Sequence, residues 1–372
     1  MDAALRQTLE RVRDAAAQRT PLAIRGGGTK AFHPDASCRP GPGVPMLDLR
    51  PLAGVVSYEP SELVLTARAG TPLAEVERLL AEQGQCLAFE PPRLAAGGTV
   101  GGMVAAGLSG PARASVGAVR DFVLGAEIIN GRAELLRYGG QVMKNVAGYD
   151  VSRLMAGSWG RLAVITEVSL KVLPMAVSEA TLAFDFEQAE ALARLHAWGG
   201  KPLPLNASCW SSEDGRGRLH LRLRGARAAV QAACRSLGGE RLEGARVQSF
   251  WRACRDQRLS WFTFREPHLA LWRLSLPQTA PALALPPGVA APLIEWHGGL
   301  RWVQAAPEHG PALRALAAQA GGSATLFMAT GQGRTRAPGI FDLQDPVLAG
   351  LQQRLQEAFD PAGIFRGAGA RG

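Results

Sequence analysis

The stretch IRGGGTKAFHP, residues 24–34, places three consecutive glycines directly after a short apolar segment. A Walker loop needs a glycine immediately before its lysine, and here Thr29 precedes Lys30 instead. The glycine spacing does satisfy the Rossmann pattern, but that loop must open a helix, and Phe32-His33-Pro34 cannot continue one. A strand that ends in glycines can still present consecutive backbone N–H groups to an anion. The stretch therefore allows a phosphate-binding loop of another kind, with a plain tight turn as the alternative.

Two further glycine-containing stretches lie downstream. In GGTVGGMVAAGLSGP, residues 97–111, Thr99 precedes two glycines and an apolar run of helical character. These glycines would let a diphosphate approach the backbone at a helix N-terminus, whereas a buried small-residue turn is the alternative. The third stretch, residues 144–168, joins a glycine–serine turn at 157–160 to an alternating strand whose backbone would serve the heteroatoms of a ring system. Together the loops favour a dinucleotide ligand.

Around these loops the pattern predicts short strands and one well-marked helix. The strand-like segments are PLAIR, PMLDL, VVSYE and LVLTARAG. The helix that follows has Thr71 as its predicted N-cap, Pro72 at the first helical position and Gly84 after its end. Residues 162–172 alternate between apolar and other residues, which predicts a strand with one wetter side.

Pro174 marks a predicted domain boundary. Beyond it, strand-like TLAFDFE and RLHLRLR alternate with helical segments at 188–198 and 226–238. This order predicts an α+β domain with helices on one face of an antiparallel sheet. An amphipathic helix, VLAGLQQRLQEAF, is predicted near the C-terminus, ended by Asp360-Pro361 and Gly363.

Composition limits the class of protein. At 372 residues, with 47% hydrophobic and 20% charged residues, the chain is predicted to fold as two domains. Five scattered cysteines without a C-x-x-C pair indicate reduced thiols and no iron–sulfur or zinc site in this chain. Neither a signal peptide nor a membrane span is expected, so a cytoplasmic protein, at most peripheral to a membrane, is predicted.

The net charge of +9 is unevenly distributed, since residues 211–258 hold eleven arginines against five acids. A solvated face is one interpretation, and docking on an acidic subunit or an anionic lipid surface is the other. No nucleic-acid motif with interleaved aromatic residues accompanies the charge, which argues against DNA or RNA as a partner.

Taken together, the three loops resemble the FAD-binding proteins of the vanillyl-alcohol oxidase and p-cresol methylhydroxylase (PCMH) superfamily. Residues 25–29 look like its first pyrophosphate loop, and residues 99–102 with Ser109-Gly110 look like the second. The motif Gly117-x-x-Arg120-Asp121 follows. Residues 157–167 are similar to the strand that passes the flavin.

Within that superfamily, four segments resemble the family of FAD-binding subunits E of bacterial glycolate oxidases: FEPP at 89–92, GLSGP at 107–111, KNVAGYD at 144–150 and FDPAGIF at 359–365. The resemblance implies a PCMH-type domain of two α+β subdomains at 1–175, an antiparallel-sheet α+β cap domain at 176–340, and a helix and tail at 341–372 that return to the FAD domain. It further implies glycolate or another small 2-hydroxy acid as substrate, and a complex with a larger FAD-containing subunit and an iron–sulfur subunit.

The resemblance also implies which residues bind FAD. They are Arg25, Gly26, Gly27, Gly28, Thr29, Lys30, Pro91, Thr99, Val100, Gly101, Gly102, Ser109, Gly110, Gly157, Ser158, Gly160 and Ile165. Covalent members attach flavin through a histidine at the first loop, where this chain has Gly28-Thr29, so non-covalent FAD is expected. Gly27→Val is predicted to abolish flavin binding and His33→Ala to leave it intact. Arg366-Gly367 departs from the Asn-Pro-Gly of relatives.

A catalytic site is less well marked. Oxidising a 2-hydroxy acid needs a base and a cation for the carboxylate, and His297 and Arg301 are the candidates, with a satisfied histidine and a surface arginine as the alternative. Glu308-His309-Gly310 is interpreted as a helix start, and Lys144 and Asn145 are weaker candidates. A non-catalytic subunit that supports a separate catalytic flavoprotein is the rival function, and an NADPH-dependent reductase of related fold is a third.

Overall fold

The computed structural model describes residues 2–33, 43–140, 150–213, 215–263, 265–330 and 346–365. Most of the KNVAGYD segment, including Lys144 and Asn145, lies outside the described residues, as do Cys38 and Arg366-Gly367.

The described residues form helices and strands in a mixed order. The helices are α1 Ala3–Gln18, α2 Leu73–Glu82, α3 Val100–Ala106, α4 Arg113–Val116, α5 Val119–Phe122, α6 Val151–Leu154, α7 Gln188–Gly199, α8 Arg227–Leu237, α9 Ala245–Arg255, α10 Ser260–Thr263, α11 Gly310–Gln319 and α12 Pro346–Phe359. The strands are β1 Ala23–Arg25, β2 Met46–Asp48, β3 Val55–Glu59, β4 Val64–Arg68, β5 Gln85–Cys86, β6 Val123–Ile129, β7 Leu135–Gly139, β8 Val164–Lys171, β9 Leu173–Pro174, β10 Ser178–Phe184, β11 Leu205–Glu213, β12 Arg216–Gly225, β13 Glu240–Leu242, β14 Ala270–Ser275, β15 Leu293–Glu295, β16 Leu300–Ala305 and β17 Ser323–Met328. The predicted α+β class is confirmed.

The chain folds into two compact units. The first unit comprises Met1–Leu108, Gly117–Met175 and Leu343–Gly372, and the second comprises Ser109–Val116 and Ala176–Asp342. The short segment Ser109–Val116 thus leaves the predicted FAD domain and joins the second unit, which the predicted boundary at residue 175 does not anticipate.

One part of the first unit is built around α1 and the parallel pair β1–β2. Buried apolar residues of α1 and β2 share a core with Ile364 and Phe365, which follow α12. The Asp360 carboxylate accepts the backbone N–H groups of both residues at 3.0 and 2.8 Å, and the Leu22 N–H donates to the Ile364 carbonyl. The last described residues are therefore part of this core.

The other part of the first unit is a five-stranded antiparallel sheet in the order β3-β4-β8-β6-β7. Strand β8 lies at its centre, and six of its eight residues are buried. The prediction of one wetter side agrees with this pattern: the two half-buried residues, Glu167 and Lys171, lie on the same face, and the residues of the other face are buried.

Helix α2 begins one residue later than predicted. Its N-cap is Pro72, and the Thr71 hydroxyl does not cap the helix. It donates instead to the carbonyls of Gly54 and Arg68 and accepts the Gly54 N–H at 3.0 Å. A threonine before proline matches the sequence signature of a helix start, but this hydroxyl ties the β4–α2 turn to the loop before β3.

The second unit is an eight-stranded sheet in the order β13-β10-β12-β11-β15-β16-β14-β17, with every pair antiparallel. Helices α7 and α8 pack on the apolar face of β10, β11 and β12, and α11 packs on the corresponding face of β14. Helix α9 lies on the opposite face, where its Trp251 donates to Thr181 of β10 at 2.9 Å. The two helices that the sequence predicted, α7 and α8, thus pack on one face as expected, whereas α9, which was not predicted, lies on the other.

No helix within the described ranges is long and apolar enough to cross a membrane.

Candidate functional site

A cleft of about 710 Å³, partly open to solvent, lies in the first unit where its three glycine-containing loops meet. Its lining comes from the end of β1, the start of α3 and the segment before β8: Ile24, Gly26, Gly27, Gly28, Thr29, Lys30, Leu49, Ala69, Thr99, Gly101, Gly102, Ala105, Ala106, Trp159, Gly160, Ala163 and Ile165. The lining is mostly apolar or glycine, so backbone groups supply much of its polarity.

The loop after β1 supplies unpaired hydrogen-bond donors. In the described part of the chain, the backbone N–H groups of Gly26, Gly27, Gly28 and Thr29 have no hydrogen-bond partner. Residues 26–29 are half-buried, and four consecutive N–H groups without a partner among the described residues suit a ligand with several acceptor oxygens. A diphosphate has this chemistry.

Two glycines of this loop have no room for a side chain. A Cβ added at Gly27 would collide with the carbonyl oxygen of Gly97, and one at Gly26 would collide with the Thr99 hydroxyl. Gly28 has a φ of +69°, in the left-handed region that favours glycine. The first loop therefore lies directly against the second, which explains why residues 26 and 27 are glycines.

The second loop is fixed by hydrogen bonds around the start of α3. The Thr99 hydroxyl caps the helix by accepting the Gly102 N–H, and the Gly101 N–H donates to the Ala69 carbonyl at 2.8 Å. A Cβ at Gly101 would come within 2.6 Å of the Ala69 Cβ. This close approach holds α3 against the end of β4 and opens the cleft beside it.

The third side of the cleft carries an aromatic residue. Trp159 has a φ of +53°, and its backbone N–H donates to the Ala105 carbonyl at 2.8 Å. Its ring stacks on buried His33 with a centroid separation of 4.0 Å and an interplanar angle of 13°. His33 therefore supports a residue that lines the cleft, which the expectation for His33→Ala did not take into account.

Basic side chains lie beside the glycine loop. Lys30 lines the cleft, and the guanidinium of the exposed Arg25 lies next to Gly28. The pKa of the Asp48 carboxyl is lowered, chiefly by its hydrogen bond with Arg50 and partly by the charge of Arg25. The charge around the loop thus suits an anionic ligand.

His297 lies in the second unit, in a 3₁₀ turn at Trp296–Gly298. Its backbone N–H donates to the Ser208 hydroxyl at 2.9 Å, and its Nε2 lies 3.1 Å from the Ser115 hydroxyl. Burial lowers the pKa of His297 to about 4, so the ring is neutral near pH 7. A neutral imidazole can accept a proton, but this one has little basicity.

Arg301 is 1% exposed, and its guanidinium is directed at backbone carbonyls. It donates to Pro281 and Ala280 at 2.6 Å each and to Gly298 at 3.4 Å. Burial lowers its pKa to about 10. This geometry fixes the proline-containing segment before β15 and does not present the side chain as a carboxylate clamp.

The described residues contain no group of three or more histidine, cysteine and acidic side chains placed to hold a metal ion.

The match to known proteins agrees with this cleft. Residues 5–139 match the family model described as FAD binding domain. The chain is 43% identical to glycolate oxidase subunit GlcE of Escherichia coli over 357 residues, which is 96% of this chain and 94% of that protein. The chain belongs to the GlcE family.

More distant relatives share only part of the chain. Identity is 28% to glycolate oxidase subunit GlcD of Bacillus subtilis, over 47% of this chain and 37% of that protein. It is 31% to a D-lactate dehydrogenase of Anaerostipes hadrus, over 39% of this chain and 30% of that protein. Among solved structures, alkyldihydroxyacetonephosphate synthase superposes with a TM-score of 0.63 at 16% identity, covering 98% of this chain and 74% of that one, which shows the fold alone.

The PCMH-type fold and FAD as cofactor, both expected from the resemblance, are thereby confirmed for this member of the GlcE family. Ten of the residues predicted to bind FAD line the cleft: Gly26, Gly27, Gly28, Thr29, Lys30, Thr99, Gly101, Gly102, Gly160 and Ile165. The structure brings together all three loops that the sequence singled out.

The other predicted residues do not line the cleft. Arg25 is exposed beside it, and Pro91 and Val100 are buried elsewhere. Gly157 is exposed, and its N–H donates to the Val104 carbonyl. The Ser158 hydroxyl oxygen is buried and has no hydrogen-bond partner within the described chain. Ser109 and Gly110 belong to the second unit, in which the Gly110 carbonyl accepts the Trp296 indole N–H at 2.9 Å.

Sequence reasoning missed Trp159 and the apolar lining residues other than Ile165. A small apolar residue such as Ala105 or Ala163 carries no motif. Trp159 was the unspecified position between Ser158 and Gly160, and an aromatic residue inside a glycine turn was the signal that pointed to it.

Proposed function

We propose that this chain is a flavoprotein subunit of a glycolate-oxidising complex, which oxidises a small 2-hydroxy acid to the 2-keto acid and passes electrons to an iron–sulfur partner. The observation that carries the proposal is the row of N–H groups at 26–29 that have no partner among the described residues, in a chain 43% identical to GlcE over 96% of its length. GlcE of Escherichia coli and GlcD of Bacillus subtilis are both named as glycolate oxidase subunits, which supports a multi-subunit enzyme. A larger FAD-containing partner is part of the proposal. Location in the cytoplasm, with peripheral membrane contact through the complex, is part of the proposal.

The cleft residues hold FAD by position and charge. The N–H groups of residues 26–29 donate to the diphosphate, and Lys30 offsets part of its charge. Trp159 and Ile165 shape the apolar wall. Bound flavin supplies a two-electron acceptor for the hydride of an alcohol carbon, and the protein's task is to orient it and exclude water.

FAD is held without a covalent bond in this proposal, because neither Gly28 nor Thr29 offers a nucleophile of the kind used by histidine-linked relatives. Precipitation of the purified protein with acid is expected to release all of the yellow colour into the supernatant. Colour that stays with the pellet contradicts non-covalent binding.

The function is tested by purifying the chain alone and together with its partner subunits, and then adding glycolate without oxygen. Loss of the flavin absorbance in the complex, with one FAD assigned to this chain by its content when purified alone, supports the proposal. A colourless chain that takes up no added FAD contradicts it.

The second candidate is a subunit that binds FAD but leaves the chemistry to a separate flavoprotein. Arg301 favours this candidate, since its guanidinium is occupied by backbone carbonyls, and so does His297, whose ring is a weak base. The same experiment separates the two: bleaching by the isolated chain assigns catalysis here, and bleaching confined to the complex assigns it to the partner.

A further inference from the structure

Three exposed arginines lie on helix α9 or directly after it. Arg246 and Arg252 belong to the helix, and Arg258 follows its end. None of the three is ion-paired with an acid within the described residues. The α9 surface consists of these three side chains. Their charge is therefore presented to solvent without a counter-charge from the chain itself.

The segment around the α9 surface offers almost no acidic side chain. Residues 244–265 contain five arginines and one acid, Asp256, and none of the acids of the chain belongs to α9. Asp256 is buried, and its carboxylate accepts two hydrogen bonds from the Arg255 guanidinium, at 2.8 and 2.9 Å. The one acid of the segment is thus engaged by a fourth arginine and does not offset the charge of the α9 surface.

Two other exposed arginines of the second unit, by contrast, have acidic partners. Arg194 pairs with Glu190 on α7 at 3.3 Å, and Arg241 pairs with Glu243 beside β13 at 3.2 Å. Exposed pairs of this kind contribute at most about 1 kcal/mol to stability, but they cancel the charge locally. The excess of arginine that the sequence shows at 211–258 therefore includes a part, the α9 surface, that no acid cancels.

The apolar side of α9 is already used by the sheet. Trp251 is buried and donates to the Thr181 hydroxyl at 2.9 Å, and the Phe250 ring lies against the His220 ring with a centroid separation of 4.1 Å. The exposed residues of α9 are arginine, alanine, glutamine and serine. A helix that lies on a membrane inserts a free apolar face into the lipid, which α9 does not have. Its charged side is thus better suited to a protein partner than to a bilayer.

From these observations we infer that the α9 surface docks an acidic surface of the protein that accepts electrons from this chain. Positive charge without a counter-charge attracts an acidic partner and steers its approach. Complexes between redox proteins are often small, and complementary charge mainly raises their rate of association. The inference rests on the proposed function for the identity of the partner, which is the iron–sulfur subunit.

The test measures how fast the full chain with FAD bound associates with its purified iron–sulfur subunit, by biolayer interferometry at low and at high salt. We expect Arg252→Gln/Arg258→Gln to lower the association rate about 10-fold at low salt and to have little effect at high salt, because salt screens exposed charges. Arg252→Lys/Arg258→Lys, which keeps the charge, is expected to retain most of the rate. The matched control is Arg227→Gln/Arg235→Gln, which removes two exposed arginines from α8 on the other face of the sheet and is expected to keep the wild-type rate.

Circular dichroism and FAD content check the folding of each variant. If the double variant of the α9 surface does not fold, Arg246→Gln takes its place, with an expected fall of about 3-fold. An unchanged rate in the α9 variant overturns the inference, and so does an equal fall in the α8 control, which indicates a general effect of net charge.

Vesicles made of equal parts of phosphatidylglycerol and phosphatidylcholine test the lipid alternative. Wild-type chain that binds these vesicles through Arg252 and Arg258, with no effect of the same substitutions on association with the iron–sulfur subunit, assigns the surface to lipid and overturns the inference. A wild-type chain that forms no complex with the iron–sulfur subunit contradicts the proposed function and the inference together. A complex that forms equally fast with the wild type and the α9 variant contradicts the inference alone.

Discussion

The two units present their polar groups in different ways. In the first unit, the cleft is lined by backbone N–H groups and by glycines that leave no room for side chains. In the second unit, the notable groups are side chains brought together from α4, β14 and the turn after β15, which lie far apart in the sequence. A site made of backbone requires glycines in consecutive positions and so leaves a motif. A site made of side chains depends on strand register and leaves none.

The largest expected effect is on the cleft of the first unit, where backbone N–H groups are the proposed FAD ligands. Gly27→Ala places a methyl group on the Gly97 carbonyl, which must move the loop and misalign its donors. We expect FAD affinity to fall at least about 1,000-fold, since two or more hydrogen bonds to a charged group are lost. Flavin content and fluorescence titration measure this. Gly199→Ala, where the added methyl meets no atom within 4 Å, is expected to retain FAD; full FAD binding by Gly27→Ala refutes the backbone site.

Arg301→Lys tests whether a buried side chain of the second unit is structural. The lysine cannot reach all three carbonyls that the guanidinium satisfies. The free energy of unfolding, measured in urea, is therefore expected to fall by about 2–4 kcal/mol. FAD content is expected to stay unchanged. Arg235→Lys on the surface of the same unit is the control, with a change of less than about 0.5 kcal/mol. Unchanged stability together with lost glycolate binding would restore Arg301 as a substrate clamp.

Acid is expected to weaken the second unit through His297. Its folded-state pKa is about 4, below the ordinary value of 6.5, so the unfolded chain binds the extra proton between these values. Stability is therefore complete above about pH 6.5 and is lost as the pH falls toward 4. The loss from pH 7 to pH 5 is expected to be about 2 kcal/mol smaller in His297→Asn than in the wild type, as measured by urea unfolding. Equal losses in both proteins contradict a buried neutral His297.

The smallest effects concern the aromatic wall of the cleft. Trp159→Ala is expected to weaken FAD binding by about 10-fold, the loss of one aromatic contact. His33→Ala removes the ring stacked behind Trp159 and is expected to weaken FAD binding by about 3-fold. This revises the expectation from the sequence that binding stays intact. Fluorescence titration resolves both changes. A larger effect for His33→Ala than for Trp159→Ala would mean that His33 acts by some means other than support.

Much of the fold was predictable because local rules governed it. The glycine loops, the strand at 23–25 and the helix that ends at Phe359 follow from turn chemistry and periodicity. The predictions failed where contacts between residues far apart in the sequence determine the structure. The Thr71 hydroxyl donates to the carbonyl of Gly54, 17 residues away, instead of capping α2. Helix α9 packs on the second face of the sheet through Trp251, whose partner Thr181 is 70 residues away. Propensity carries no information about such partners.

The candidate functional residues also include some that the sequence predicts and some that it does not. Ten lining residues of the cleft were predicted, since a nest of N–H groups and close backbone approach demand glycine at fixed spacing. The contacts of Arg113 and Arg273 with Trp296 were not predicted, because one arginine among many has no distinguishing neighbour in the sequence. Arg301 was predicted for the opposite reason: it followed a histidine at strand spacing, and only the structure shows the carbonyls that occupy it.

The packing of Ile364 and Phe365 against α1 has a consequence for biosynthesis. Residues near both ends of the described chain share one core, so that core is closed only after the ribosome has made residues beyond 360. Nearly all of the second unit, by contrast, is contiguous and is translated earlier. Nascent chains stalled at residue 345 are expected to resist protease between 176 and 330 and to be cut within the first 108 residues. The first unit, which carries the cleft, is thus completed after the second unit has folded.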